Sequence, residues 1–272
     1  MKLWAIIEFT FREGLARKTI IGFAVISTFF LLLGVVAALV IPTVIEVGNG
    51  QGVNTRIDIT ADAKIVWQVQ AAMTGFINFA ALVLSIFATA SILPNTMDKG
   101  SIDLLLSKPV SRLEILLGKT LGSLLIVLAN VAYFIIGMWL IVGVRTGEWN
   151  AGFLGVTFSI TYTFLILFAV MLVIGIGSRS SALTIILLYV FIFLISPILE
   201  GREFILQLAS SETAKVILDT IYYILPKPDA LGKVSYALVT HTPIDWMPIW
   251  SSGLFAAVMY AFAGWLFQRK DF

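Results

Sequence analysis

The chain has 272 residues, of which 59% are hydrophobic and only 12% are charged, and its formal net charge is +2. A soluble globular domain cannot carry so apolar a composition on its surface, so we expect a protein whose solvent is a lipid bilayer. The absence of cysteine and the single histidine, His241, exclude disulfide frameworks, thiol nucleophiles and Cys/His metal sites.

Six segments are long and apolar enough to cross the hydrocarbon core of a bilayer, which requires about 20 residues of helix. None of them contains Asp, Glu, Lys, Arg or His, and the first is longer than the core of a signal peptide. We therefore predict an all-α integral membrane protein with six transmembrane helices. Because no repeat or linker is recognisable, we predict a single domain over residues 1–272. The predicted spans are 20–41, 71–93, 120–144, 152–177, 182–199 and 247–267.

Ahead of the first span, residues 1–18 have helical spacing. An apolar row of Leu3, Ile7, Phe11 and Leu15 accompanies an i,i+4 pair of Glu8 and Arg12. This pattern predicts an amphipathic helix that lies in the membrane interface. The alternative is an irregular start of the first span.

An even number of spans places both termini on one side of the membrane. Lysine and arginine are concentrated on that side, and the positive-inside rule therefore predicts cytoplasmic termini in a multi-pass protein of the inner (cytoplasmic) membrane. The basic residues on this side are Lys2, Arg12, Arg17, Lys18, Lys99, Lys108, Arg112, Lys119, Arg179, Arg269 and Lys270.

Two rows of small residues predict close helix packing. Ala81, Ser85 and Thr89 recur along the second span, and Gly118 and Gly122 form a GxxxG pair at the start of the third. The row in the second span has an alternative interpretation, in which it faces a substrate.

The connections between spans carry their own signals. Residues 56–60 in the first outer loop have strand-like composition, and the short 178–181 connection predicts a tight antiparallel hairpin. Residues 203–225 are helix-like but too polar to span, so we expect one or two re-entrant or surface helices on the outer side before the sixth span.

Intramembrane catalysis is disfavoured by the residue inventory. The spans contain no carboxylate, and Lys119 at the membrane edge is the only plausible member of a Ser/Lys dyad, although a lysine in this position usually extends to lipid headgroups. His241 lies in a Thr-His-Thr-Pro turn and is interpreted as a loop residue. A metal site there would require Asp229 or Asp245.

An ion-driven carrier usually keeps ionisable residues near the bilayer midplane, and these spans have none. Asn78 and Asn130 are the most polar residues of the spans, and such asparagines typically hydrogen-bond between helices. Energy for any movement should therefore come from elsewhere. A phosphate loop does not supply it, because Gly118-Lys119-Thr120 is preceded by Leu113 where GxxxxGK[ST] requires glycine.

The charged stretch 95–119 between the second and third spans contains several residues that typically begin or end helices. Gly100 interrupts the helix leaving the second span, and Ser101 can cap a short helix that Lys108-Pro109 ends. Ser111 and Glu114 then have the spacing of a capping box that opens the next helix. The pattern predicts a short separate helix between two breaks.

Within this stretch, GSIDLLLSKPVSRLEILLGKTL resembles the signature of the ABC-2 type transporter permeases, in particular their NosY-like branch. The N-terminal helix, the six spans and the QRKDF ending fit the same family over the whole chain. The resemblance implies that the short helix is a cytoplasmic coupling helix that docks on an ATP-binding cassette subunit. The acidic position, often glutamate in the family, is Asp98 here, which has a shorter side chain.

The resemblance also implies roles for individual residues. Four of them would make polar contacts with the ATPase, namely Asp98, Asp103, Lys108 and Arg112. Leu104, Leu105 and Leu106 would enter its groove, while Gly100 and Pro109 would set the geometry. The alternative is that Lys108, Arg112 and Lys119 only anchor lipid headgroups.

The function implied is the membrane subunit of an ABC exporter, in which two copies, or this chain and a homologue, pair with two ATPase subunits in the bilayer. ATP and Mg²⁺ would bind to the ATPase, with no cofactor in this chain and no nucleic-acid partner. The alternatives are a non-transporting anchor or mechanical transmitter that uses the same ATPase coupling, and an embedded enzyme. The uncharged spans mildly favour a lipid, a hydrophobic compound or a lipid-linked molecule as substrate.

Overall fold

The computed structural model describes residues 6–12, 18–40, 44–49, 53–58, 62–92, 94, 111–202 and 212–270. These residues form a helical bundle with one small hairpin. The helices are α1 (6–12), α2 (Lys18–Val40), α3 (Ala63–Thr89), α4 (Arg112–Thr146), α5 (Ala151–Ser178), α6 (Ser181–Glu200), α7 (Glu212–Ile224), α8 (Pro228–Thr240) and α9 (Met247–Arg269), and the strands are β1 (Val44–Asn49) and β2 (Val53–Asp58).

Six helices in the described part of the chain are long and apolar enough to cross a membrane, namely α2, α3, α4, α5, α6 and α9. The predicted all-α, six-span fold is confirmed. Two of these helices begin eight residues before the predicted spans, because capping side chains rather than hydropathy set the ends of a helix. Asp62 accepts a hydrogen bond from Lys64 N at the start of α3, and Ser111 caps α4.

The bundle is centred on α5. Phe153, Ile160, Phe164 and Leu167 are fully buried against the surrounding helices. Lipid tails are as apolar as these side chains, so close van der Waals packing rather than transfer from water holds such a helix in place. The hydroxyls of Thr161 and Thr163 donate to carbonyls of their own helix, that of Thr161 to the Thr157 carbonyl at 2.7 Å, and this satisfies them within the core.

The turn between α5 and α6 is the predicted tight hairpin. Arg179 ends α5 in the left-handed conformation, at φ 53°, and the Ser180 hydroxyl accepts the Leu183 N–H at the start of α6. Further along α6, residues Phe191–Ile195 form a π turn. Pro197 has no N–H to donate, and the wider bond from Ser196 N to Phe191 O keeps the helix continuous ahead of it.

The region between α6 and α9 differs from the sequence prediction in one respect. A helix does occur within the predicted 203–225 segment, as α7, and its side chains at Val216, Ile217 and Ile224 are exposed. The next helix, α8, was not predicted. It packs against α3 and α5 and buries Leu231 and Val239, so it belongs to the core of the bundle.

Strands β1 and β2 form an antiparallel hairpin after α2. Val44 pairs with Asp58 and Asn49 pairs with Val53. The predicted strand-like segment 56–60 therefore coincides with the end of β2, which in the described residues extends to Asp58. The hairpin is the one departure from an all-helical fold within the described residues.

Candidate functional site

Most of the candidate site lies in the 95–110 segment, which is outside the described residues. This applies to Asp98, Gly100, Asp103, Leu104, Leu105, Leu106, Lys108 and Pro109. The structure describes Arg112 and both flanks of the segment. These flanks show which helices adjoin the segment.

The entry flank is packed against the end of α5. Ile92 is only 2% exposed and Pro94 is buried. A Cβ atom built on Gly175 would lie 3.7 Å from Pro94 Cγ, which is an ordinary van der Waals contact. The chain therefore enters the 95–110 segment from a position fixed against the last turn of α5.

The exit flank begins with the predicted capping box, which is confirmed. Glu114 N donates to Ser111 Oγ at 3.2 Å, and Ser111 N donates to Glu114 Oε2 at 2.7 Å. Both bonds satisfy backbone N–H groups that the first turn of a helix leaves unpaired. The start of α4 is thus fixed at the residue that follows the segment.

Arg112 connects the exit flank to the last helix. Its Nη1 atom donates to the carbonyl oxygens of Gln268 at 3.0 Å and Lys270 at 2.7 Å. These carbonyls belong to the C-terminal end of α9, where the helix dipole favours a positive charge. Leu113 also meets α9, since a Cβ atom on Gly264 would lie 3.2 Å from its Cδ2.

Lys270 extends this connection to α5. Its ammonium group donates to the carbonyls of Ile176 and Gly177, which end that helix. Burial lowers the pKa of Lys270, and the nearby Arg179 charge lowers it further. We call the set of Pro94, Ser111, Arg112, Glu114 and Lys270, with the helix ends they join, the terminal frame.

The GxxxG pair at the start of α4 receives helix α1. A Cβ atom on Gly118 would lie 2.4 Å from Ile6 Cγ2, and one on Gly122 would lie 2.6 Å from Thr10 Cβ. The prediction of close packing is confirmed, and the partner is the short N-terminal helix. The predicted i,i+4 ion pair of Glu8 and Arg12 is present at 2.6 Å.

The packed face of α1 differs from the predicted apolar row. Ile6 and Thr10 are buried, at 6% and 1% exposure, whereas Phe11 is 37% exposed. Thr10 can occupy a buried position because its hydroxyl donates to the Ile6 carbonyl at 2.8 Å. Steric fit to the two glycines, rather than hydrophobicity alone, decides which face of α1 is covered.

The position of Lys119 near the membrane edge predicted that it extends to lipid headgroups, but in the structure it does not. It is 1% exposed, and its ammonium group lies 5.1 Å from the centre of the Phe9 ring. Helix α1 covers it, so the headgroup-anchoring interpretation is wrong for this residue. Gly118, Lys119 and Thr120 are all inside helix α4, which is not the loop geometry of a phosphate site.

The polar residues of the spans form the predicted contacts between helices. Ser27 Oγ donates to Asn130 Oδ1 at 2.7 Å, and Ser235 Oγ donates to Asn78 Oδ1 at 3.3 Å. The predicted small-residue row of α3 is at a helix contact too, since Thr89 Oγ1 lies 3.9 Å from Met171 Sδ of α5.

A buried polar cluster at the opposite end of the bundle, which we call the distal end, was not predicted. Asn150 donates through Nδ2 to Gln70 Oε1 and to the Val239 carbonyl, both at 2.9 Å. His241 Nε2 lies 3.1 Å from Asn150 Oδ1, and its ring is 4.6 Å from that of Trp67. The predicted loop position of His241 is correct, but the residue also helps to hold α8 against α3.

The contacts of Arg112 and Lys270 with the ends of helices were also not predicted from the sequence. The available signal was the basic tail after α9, because positive side chains commonly satisfy the last carbonyls of a helix. Sequence spacing cannot show that Arg112, far away in the chain, binds the same helix end. That contact requires α4 and α9 to be neighbours at this end of the bundle.

The six spans, the helix α1 packed across α4 and the contacts of the terminal frame define a multi-pass helical membrane protein. The family model described as "ABC-2 family transporter protein" matches residues 4–272. The chain therefore belongs to the ABC-2 family, whose members are typically permeases of ABC transporters and work with ATP-binding subunits. A comparison with curated proteins finds no match.

Proposed function

We propose that the chain is the permease subunit of an ATP-driven exporter of the NosY-like branch. A separate ATP-binding cassette subunit binds ATP and Mg²⁺ and docks on the 95–110 segment. The observation that carries the proposal is the terminal frame, which holds both flanks of this segment against the ends of α4, α5 and α9. A partner that displaces the segment therefore acts on several helices at once.

The roles of the segment follow the family signature. Asp98, Asp103 and Lys108 supply polar contacts to the ATPase, and Leu104, Leu105 and Leu106 fill its groove. Gly100 and Pro109 set the position of the short helix between them. Arg112 has a second, structural role, because its guanidinium already binds the end of α9.

The proposed orientation places the terminal frame in the cytoplasm and the distal end outside an inner (cytoplasmic) membrane. The basic residues near both termini support this orientation. The chain acts as one domain and pairs with a second copy or a homologue, with no nucleic-acid partner. Pairing is expected because the uncharged spans of one copy do not enclose an obvious polar path.

Copurification from solubilised membranes tests the proposal. The full chain should retain an ATP-binding subunit, and reconstituted vesicles that contain both should move substrate in an ATP-dependent manner. Recovery of intact protein without any ATPase would reject the proposal. An ATPase partner without transport would instead identify the non-transporting transmitter.

The Asp103→Ala variant tests the docking site itself. Losing a charged hydrogen bond at an interface typically costs about 1–3 kcal/mol, so we expect partner binding to weaken roughly five- to 150-fold. Lys64→Ala is the matched control, since Lys64 is an exposed charged residue at the distal end of the bundle. Equal ATPase binding by the Asp103 variant and the control would argue against docking at this segment.

A further inference from the structure

Helix α7 turns its polar side toward the bundle and its apolar side away from it. Asp219 and Tyr222 are partly buried, whereas Val216, Ile217 and Ile224 are between 53% and 65% exposed. None of the side chains described on α7 is buried. The terminal frame does not include this helix, and the proposed coupling to an ATPase gives it no role.

The neighbouring helix α8 provides an internal comparison. Both helices have 13 residues, but α8 buries Leu231 and Val239, at 2% and 0% exposure, and packs against α3 and α5. Helix α7 contacts the end of α6 and helix α9. Apolar packing therefore holds α8 in place, whereas α7 depends on polar contacts.

Four side chains make these polar contacts. Arg202, two residues beyond α6, donates through Nε to Asp219 Oδ1 at 2.9 Å, and its Cζ atom lies 3.6 Å from the centre of the Tyr222 ring. The Tyr222 hydroxyl lies 3.5 Å from Glu200 Oε2 at the end of α6. We call Glu200, Arg202, Asp219 and Tyr222 the clasp. Its ion pair is partly open to solvent, with side-chain exposures of 14% and 34%, and such a pair is weak.

A side chain of the clasp lies over a buried cation. Lys227 is 3% exposed, and its ammonium group is 4.9 Å from the centre of the Tyr222 ring. The ammonium group donates to Ser251 Oγ at 2.9 Å, but no carboxylate of the described residues forms an ion pair with it. A covered ammonium group without a carboxylate partner is costly.

The charge of Lys227 therefore favours uncovering. Burial lowers the pKa of Lys227, and the Arg202 charge lowers it further, while Glu200 acts in the opposite direction. The lowered pKa means that the ammonium form is less stable under the Tyr222 ring than in water. Movement of Tyr222 away from Lys227 would return the ammonium group to water and remove this cost.

The apolar side of α7 does not oppose such a movement. Val216, Ile217 and Ile224 already face away from the bundle, and Ile198, on the part of α6 that α7 contacts, is also 45% exposed. Lipid tails cover apolar side chains on the outside of a membrane protein, and α7 would keep this cover if it moved outward. The clasp therefore sets the balance between a closed and an open position.

We propose that α7 is a lid that closes over the Lys227 ammonium group and is held closed by the clasp. Opening separates Tyr222 from Lys227 and Asp219 from Arg202, while α8 and the spans keep their packing. Two cations are then uncovered at the distal end of the bundle.

Amine acetylation of the full chain tests the lid without an ATPase. The protein is placed in phosphatidylcholine nanodiscs and treated with sulfosuccinimidyl acetate, and the modified lysines are quantified over time by peptide mass spectrometry. Lys215 is exposed on α7 and serves as the reference, whereas Lys119, 1% exposed on α4, reports on the integrity of the bundle. In the natural chain we expect Lys227 to react more slowly than Lys215.

Two variants and a control complete the test. Arg202→Gln removes the ion pair and the cation–π contact, which predicts a rise of roughly three- to thirtyfold in the acetylation rate of Lys227. Asp219→Asn should also raise this rate, and the double variant should add little because both changes remove the same ion pair. Arg145→Gln makes the matched substitution at an exposed position of the distal end and should leave the rate unchanged.

Acetylation of Lys227 as fast as that of Lys215 in the natural chain would overturn the proposal, and that comparison needs no variant to fold. Equal Lys227 rates in the natural chain and the Arg202 variant would overturn it as well. So would a rise at Lys119 that matches the rise at Lys227, because this would show loosening of the whole bundle. Failure to copurify an ATPase would contradict the proposed function but leave the lid unaffected, so the two can fail independently.

Discussion

At the residue scale, Arg112 shows how one side chain can belong to both a family signature and the fold. The resemblance assigns it to the partner interface, whereas the structure shows its guanidinium on the last carbonyls of α9. A variant at this position therefore changes two properties together. Stability has to be measured before any loss of coupling is assigned to the interface.

Arg112→Ala should destabilise the protein by about 1–3 kcal/mol, because carbonyls at the end of α9 lose a charged donor. The measurement is the thermal unfolding midpoint of purified protein in detergent. Arg112→Lys is the conservative comparison and should retain part of the stability, since an ammonium group can donate to a carbonyl but lacks the fork of the guanidinium. An unchanged midpoint for Arg112→Ala would show that the carbonyl contacts contribute little.

Asp229 on α8 permits a pH-dependent prediction. Burial raises the pKa of its carboxyl group, while the Ser196 hydroxyl, which donates to it at 2.5 Å, offsets part of this effect. A carboxyl whose pKa is raised in the folded state destabilises the fold once pH exceeds that raised pKa, and the penalty disappears when pH falls below the unfolded value.

Asp229→Asn keeps an acceptor for Ser196 and removes the charge. We expect a midpoint at neutral pH equal to or higher than that of the natural chain. The advantage should shrink as pH falls toward the ordinary range of an aspartate. Unfolding curves at several pH values test this sign, and a gain that grows on acidification would contradict it.

At the element scale, the short helix α1 depends on a close steric fit. Helix α1 covers Lys119 and packs on Gly118 and Gly122 with no room for a Cβ atom at either glycine. The sequence predicted both the helix and the close-packing motif, but it did not predict that the two are in contact. A motif of two glycines identifies a flat surface without saying which helix occupies it.

Gly118→Leu should displace α1 and expose Lys119. Overpacking typically costs about 1–3 kcal/mol, and here the short helix α1 can relieve the strain by leaving the surface of α4. Limited proteolysis near the N-terminus should become faster than in the natural chain. Gly232→Leu is a control on α8, because a Cβ atom there meets nothing within 4 Å. Unchanged proteolysis of the Gly118 variant would argue against α1 as a cover.

Helix α8 shows why the region between α6 and α9 was predicted only in part. Its sequence contains Asp229 and Lys233 and is too short to span a membrane, so its composition indicates a surface location. The structure buries its other face against α3 and α5, through residues such as Leu231 and Val239, and Ser235 there bonds Asn78 and Ser159 at 3.3 and 2.8 Å. Short amphipathic helices on a membrane surface and in a helical bundle have similar sequences. Which of the two locations such a helix occupies depends on the helices that it packs against.

At the scale of the whole molecule, the terminal frame joins several helix ends at one end of the bundle. It links the start of α4 with the ends of α5 and α9, while Asn150 and His241 hold α8 at the distal end. The absence of native cysteine makes the orientation of these two ends directly measurable.

Single cysteines at two exposed positions should react from opposite sides of the membrane. In intact cells, Lys64→Cys should be labelled by a membrane-impermeant maleimide and Arg12→Cys should not, while permeabilisation should expose both. Both side chains are exposed in the structure, so accessibility alone should not separate them. The reverse pattern would place the termini outside and would contradict docking of a cytoplasmic ATPase.

The sequence by itself determined the membrane setting, the six spans, the capping box at Ser111 and the interhelical bonds of Asn78 and Asn130. Each of these depends on local composition or on a short sequence spacing. In a bilayer, apolar spans of sufficient length and hydrogen-bonded polar groups are required, because unsatisfied polar groups are costly there. The tertiary structure alone decided the burial of Lys119, the insertion of α8 and the pairing of Arg112 with the end of α9. These features join residues far apart in the chain, and only the packed neighbours determine whether a charge there meets water, lipid or another helix.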